Sequence, residues 1–163
     1  FRAAVRFYQK VQDTPLKRML DISAQGICVS GYAFHMKVNL KAFRPDGKIG
    51  DFSQLQFTAG KREQGYNWKG WIDKQGEVAL EWENSVKGNL KGRRDRLMVA
   101  VLHEGRSFSP VLADEVNARR KDGKATFRVR RVKREKVHAY CFFMSPDEKQ
   151  LSVSQYVCLE ERE

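Results

Sequence analysis

Beyond Gly50 the apolar residues stop recurring at helical spacing and begin to alternate. That change of period most limits what the chain can fold into, because it requires a block of helices followed by a block of strands. Residues 1–12 read as an amphipathic helix, with Ala4, Phe7, Tyr8 and Val11 at i, i+3, i+4 and i+7. Thr14-Pro15 places a capping residue before a proline at the first helical position. It predicts a second short helix with Leu16, Met19 and Leu20 on one face. A third helix is expected from Ala33 to Phe43, with Ala33, Met36, Leu40 and Phe43 on one face. The turn chemistry of Pro45-Asp46-Gly47 ends it.

The strand signals follow at short intervals. Leu55 and Phe57 alternate with polar neighbours, and Tyr66 to Asp73 is an aromatic strand candidate. From Glu77 to Glu83, Val78, Leu80 and Trp82 face one way and Glu77, Glu81 and Glu83 the other. Leu97 to Leu102 is a continuous apolar run, as a central strand would be, and Phe108 to Leu112 is a further candidate. Asp122-Gly123 is hairpin chemistry and leads into alternating Ala125, Phe127 and Val129. Val137 to Met144 is apolar on both faces, and Ser152 to Leu159 alternates again. Strands at this spacing predict a mainly β, α+β chain: a helical segment over 1–50 and an antiparallel β-sandwich over 51–163.

The order of features after residue 76 resembles an immunoglobulin-like sandwich of the fibronectin type III kind. A strand with a core tryptophan (Trp82) precedes the apolar strand 97–102 and the alternating strand 125–129. A strand carrying Tyr140 and a serine-rich closing strand complete it. Over nearly the whole chain, several runs resemble an uncharacterised family common in Bacteroidota, known only as a domain of unknown function. They are Asn39-Leu40-Lys41-Ala42, Asp51-Phe52-Ser53-Gln54-Leu55, Gly76-Glu77-Val78-Ala79-Leu80-Glu81-Trp82, Asp95-Arg96-Leu97-Met98-Val99 and Val137-His138-Ala139-Tyr140. The resemblance implies an architecture and a cytoplasmic setting, no activity, and no catalytic residue. Members usually begin with a glycine-rich basic segment that is not seen here.

Familiar catalytic groupings are missing. His103-Glu104 lacks the second histidine of an H-E-x-x-H zinc site, and none of His35, His103 and His138 falls at metal-ligand spacing to another. There is no G-x-S-x-G elbow, no G-x-G-x-x-G and no phosphate loop. Glu81 and Glu83 sit on the polar side of a strand, opposite Trp82. Cys28, Cys141 and Cys158 are odd in number and widely spaced, which suits free thiols in a reducing compartment. A Cys141–Cys158 disulfide between neighbouring predicted strands is the alternative. No run of 18 apolar residues is present, so no membrane span is expected. Phe1 reads as the interior of a helix, so a missing segment, and with it export, is left open. The expectation is a non-enzymatic binding or assembly module of the cytoplasm, without metal or cofactor, whose partner is a protein or a second copy.

Charge suggests the alternative. The chain carries 31 basic and 20 acidic residues, a formal net charge of +11. The stretch 119–136 concentrates it: Arg119, Arg120, Lys121, Lys124, Arg128, Arg130, Arg131, Lys133, Arg134 and Lys136 stand against only Asp122 and Glu135. As a hairpin ribbon it would track a phosphate backbone without reading bases. The same charges also suit a solvated outer strand, partly paired with Glu81 and Glu83. Lys91, Arg93, Arg94 and Arg96 make a second basic cluster in another loop. Tyr66, Trp68 and Trp71 form a candidate aromatic platform. Simple alternation puts Tyr66 and Trp68 on one face and Trp71 on the other.

Overall fold

The computed structural model describes residues 1–85, 92–131 and 134–162. Three helices come first: α1 (Arg2–Val11), α2 (Leu16–Ala24) and α3 (Gly31–Asn39). Seven strands follow: β1 (Tyr66–Ile72), β2 (Glu77–Glu83), β3 (Arg96–His103), β4 (Arg106–Leu112), β5 (Lys124–Arg128), β6 (Val137–Met144) and β7 (Gln155–Glu161). They join in one mixed sheet, not the wholly antiparallel arrangement expected, of order β4-β3-β6-β7-β1-β2-β5. The pivot is β7. Its first part pairs antiparallel with β6, Cys141 opposite Gln155, and its last part pairs parallel with β1, Gly70 opposite Leu159.

The sheet therefore curls into two arms that face each other across a core. Ile72, Val78, Leu80, Trp82 and Phe127 come from one arm, and Leu97, Val99, Ala139, Cys141 and Phe143 from the other. The rings of Trp82 and Phe143 meet edge to face with centroids 5.8 Å apart. A second core lies on the outer face of β3 and β6, where Ala100, Leu102, Tyr140, Phe142 and Met144 receive Phe7, Val11, Leu16, Met19, Leu20 and Phe34 from the helices. Every residue of β6 is buried, because the helices cover one face and the opposite arm the other. Each large apolar side chain so buried contributes about 1.5–3 kcal/mol of transfer free energy.

Three local expectations need correction. The buried residues of α3 are Gly31, Phe34, His35 and Asn39, while Leu40 is exposed. A search for apolar residues alone misses this face, because polar groups hold it in place. His35 Nε2 donates to the Ala4 carbonyl at 2.8 Å, and Asn39 Nδ2 donates to His35 Nδ1 at 3.0 Å. The Asn39 amide also brackets the Gln56 backbone, donating to its carbonyl at 2.8 Å and accepting from its N–H at 2.7 Å.

Leu55 and Phe57 are buried but belong to no strand. Their segment is pinned by side chains: Ser154 Oγ accepts from Phe57 N at 3.0 Å, and Thr58 Oγ1 donates to the Ser152 carbonyl at 2.8 Å. Asp122-Gly123 closes no hairpin. Gly123 (φ +68°) ends a 3₁₀ turn, Arg120–Asp122, and β5 pairs with β2 in the other arm, Leu80 opposite Ala125. The chain between β4 and β5 thus crosses from one arm to the other, which local turn chemistry cannot reveal. Cys141 is buried between the arms and Cys158 is exposed; both, like Cys28, are free thiols.

Candidate polyanion-binding surface

The crossing from β4 to β5 decides where the positive charge gathers. Residues 92–95 form a tight turn entering β3, closed by Asp95 N donating to the Gly92 carbonyl at 2.9 Å. Segment 119–121 lies against this turn. Arg120 N donates to the Asp95 carbonyl at 2.8 Å, Lys121 N to the Arg93 carbonyl at 3.1 Å, and Arg119 Nη1 to the Arg94 carbonyl at 2.7 Å. Two basic clusters more than twenty residues apart in sequence thereby become one surface of Arg93, Arg94, Arg96, Arg119 and Lys121, all exposed. Among the described residues, none of these five has a carboxylate within ion-pair distance. Asp122, the acidic residue of the segment, is turned to the Arg119 N–H, 2.8 Å away.

Beneath the surface lies a buried ionic hub. The Asp95 side chain is 1% exposed and bridges Arg62, at 2.5 Å, and Arg120, at 2.9 Å. Arg120 is itself nearly enclosed. It donates through Nε to the Gly92 carbonyl at 2.8 Å and through Nη2 to the Glu63 carbonyl at 2.5 Å, and its guanidinium lies 4.2 Å from the Phe143 ring centroid. A carboxylate can be carried this deep only because two guanidiniums and their fixed geometry replace its water. The bond to Asp95 also holds Arg62 above the ordinary arginine pKa.

The rest of the predicted ribbon divides. Arg120 and Arg131 are not surface residues: the Arg131 side chain is 1% exposed, pairs with Glu161, and donates to the carbonyls of Asp73 and Glu135 at 2.8 and 2.9 Å. On β5, Lys124 stands opposite Glu81 and Arg128 opposite Glu77, with Arg128 Nε 3.5 Å from the Glu77 carboxylate. Each of these two cations thus has a carboxylate opposite it on the neighbouring strand, which offsets part of the charge of this face. Arg130 and Arg134 are exposed beyond the strand. Lys133, and Lys91 of the second cluster, lie outside the described residues.

The aromatic trio is also redistributed. Asn67 adopts φ +51° within a break of register between Tyr66 and Lys69. The extra residue reverses the side on which Tyr66 emerges. Tyr66, 41% exposed, stands opposite Glu83 on the outer face of the sheet, the face that Trp71 also occupies opposite Ala79. Trp68 turns inward against Trp82 and Phe143, with Nε1 donating to Gln155 Oε1 at 2.9 Å. Arg162 covers Trp71, 4.5 Å from its ring centroid. No continuous aromatic platform forms.

The histidines are held in structural contacts. His138 stacks on Phe52 with centroids 4.1 Å apart and shares a 2.7 Å hydrogen bond with the Tyr156 hydroxyl. His103 Nδ1 lies 3.1 Å from Glu135. Burial lowers the pKa of His35, His103 and His138 alike. Among the described residues, no group of three His, Cys, Asp or Glu side chains is arranged to hold a metal ion, and no helix is long and apolar enough to cross a membrane. Sequence reasoning gives neither Asp95 nor Arg62 a role in a site. A lone aspartate inside an arginine-rich run was the available signal. No protein-family model matches the chain, and no curated protein matches it.

Proposed function

We propose that this chain is a non-enzymatic binding module whose ligand is a nucleic acid, held through its phosphate backbone without base reading. The observation that carries the reading is the joining of Arg93, Arg94, Arg96, Arg119 and Lys121 into one exposed surface, with no carboxylate among the described residues at ion-pair distance from any of them. Cations so placed displace condensed counterions from a phosphate chain. Guanidiniums, four of the five, are the groups best matched to phosphate oxygens. The self-assembly reading loses its main motive, because the apolar faces of α1 and α2 are buried in the chain's own core. The finer likeness to a fibronectin type III sandwich belongs to the same proposal. It is supported by the strand order, the parallel β1–β7 pairing and the core position of Trp82. Such a scaffold fits a binding role, and the likeness to the Bacteroidota family adds no activity to it.

The test is binding of a fluorescent duplex oligonucleotide across a salt series. Five phosphate contacts give a slope of log K against log salt of about −4.5, or about a 500-fold loss of affinity between 50 and 200 mM. Replacing Arg93 and Arg94 by glutamine should lower the magnitude of that slope by about 2, while replacing Arg128 and Arg130 should change it less. Absence of binding at 50 mM salt would end the proposal.

A further inference from the structure

Resting on that reading, we infer that the hollow beside the Asp95 hub is a discrete seat for one phosphate group, the point at which a strand is held in register. The hollow is an open depression of about 280 Å³ lined by Arg62, Gly92, Arg93, Arg94, Asp95 and Pro146. That is slightly below the smallest sites used for drug-sized ligands, roughly 300 Å³. It suits a compact anion with its first waters better than a base or a folded cofactor.

Its electrostatics favour an anion for three separable reasons. Two guanidiniums share the single carboxylate of Asp95, so one positive charge stays uncompensated in the wall, and Arg62, the more exposed of the pair, carries it to the surface. Every carbonyl from Gly92 to Asp95 accepts a hydrogen bond from within this turn or from segment 119–121, so those negative ends are already satisfied. Arg93 and Arg94 then add two guanidiniums at the mouth without ion-pair partners among the described residues. Asp147, on the neighbouring turn, is felt by Arg62. Its carboxylate is held by Ser145 Oγ at 2.6 Å and Lys149 N at 3.1 Å.

Preorganisation is the other half of the argument. Gly92 has φ +83°, and a Cβ there would stand 3.0 Å from Asp95 Oδ2 and 3.2 Å from Arg120 Nε. At this left-handed φ any other side chain is strained, and its Cβ would crowd the hub, so glycine lets the turn sit directly on it. A loop already ordered by the fold loses little entropy when an anion arrives.

The phosphate group could come from a polynucleotide or from free phosphate, and the experiment separates them. Inorganic phosphate is titrated into ¹⁵N-labelled full chain at low salt against a chloride control, and an oligonucleotide is then added in competition. Saturable shifts confined to residues 92–95 and Arg62, and reversed by the oligonucleotide, are expected. Arg93→Gln and Arg94→Gln, both exposed, should keep the amide spectrum of the core and each lose about tenfold in phosphate affinity. Linear shifts spread over all exposed basic residues, or unchanged affinity in both variants, would overturn the seat while oligonucleotide binding leaves the parent reading standing. Saturable phosphate binding without any oligonucleotide binding would keep the seat and sink the polymer as its ligand.

Discussion

Replacing Asp95 by asparagine tests whether the hub organises this end of the molecule. The change preserves shape and removes only the negative charge between Arg62 and Arg120. Breaking a buried pair by losing one partner costs about 3–5 kcal/mol, because the other charge stays buried without compensation. Arg120, 5% exposed at its side chain, suffers this in full, whereas Arg62, 26% exposed, is partly relieved by water. Arg120 keeps its carbonyl acceptors at Gly92 and Glu63, so the lower end, about 3 kcal/mol, is expected. With a urea m-value of about 2 kcal/mol/M, the unfolding midpoint should fall by about 1.5 M. The melting temperature should drop by roughly 6–12 °C. Equilibrium urea denaturation followed by tryptophan fluorescence reads this directly, since Trp82 donates to the Arg120 carbonyl at 3.1 Å. Adding Arg120→Met to the same chain removes the orphaned charge and should restore part of the loss. A single-variant loss below about 1 kcal/mol, typical of a surface pair, would refute the reasoning. So would a double variant as unstable as the sum of the two singles.

Acidification should destabilise the fold earlier than its carboxylates alone would require. His35, His103 and His138 all have folded pKa values below the ordinary value near 6.5, burial being the first cause. The unfolded chain then binds protons more readily, so stability is full above about pH 6.5 and is lost as pH falls toward the folded values. The urea midpoint at pH 5.5 should lie below that at pH 7.5, and an equal or higher midpoint would contradict the burial argument. Asp51, Asp147 and Glu161, whose pKa values are lowered by hydrogen bonds, lose their contribution only at more acid pH. Arg131→Met should cost about 2–4 kcal/mol in thermal or urea unfolding, because it removes the Arg131 donor from the Glu135 carbonyl, leaves the Asp73 carbonyl with the Gly76 N–H alone, and leaves Glu161 without its partner. Arg128→Gln, on a side chain 66% exposed, should stay within about 0.5 kcal/mol. Gly92→Ala should destabilise by about 1–2 kcal/mol from the left-handed backbone alone. It should also weaken oligonucleotide binding by displacing the turn, which a binding titration of the folded variant measures.

Much of the secondary structure was legible residue by residue. Helices around Phe7 and Leu16, the alternation that buries Trp82, and the two-sided apolar run of β6 are local patterns, because period and side-chain type act over neighbouring positions. Charge totals were equally readable, but their geography was not. Arg128 and Arg131 have the same chemistry three residues apart, yet one meets water and the other lies against Asp73, Glu135 and Glu161. Tyr66 changed faces through a single extra residue at Asn67, which no alternation rule anticipates. Composition and spacing settled on their own that helices precede a strand-rich, basic remainder with Trp82 in its interior. The pairing of β5 with β2, the burial of Asp95 between Arg62 and Arg120, and the meeting of residues 92–96 with 119–121 came only from the folded chain. Long-range pairing depends on which surfaces are left to cover once every strand is in place, and that is a property of the whole sheet.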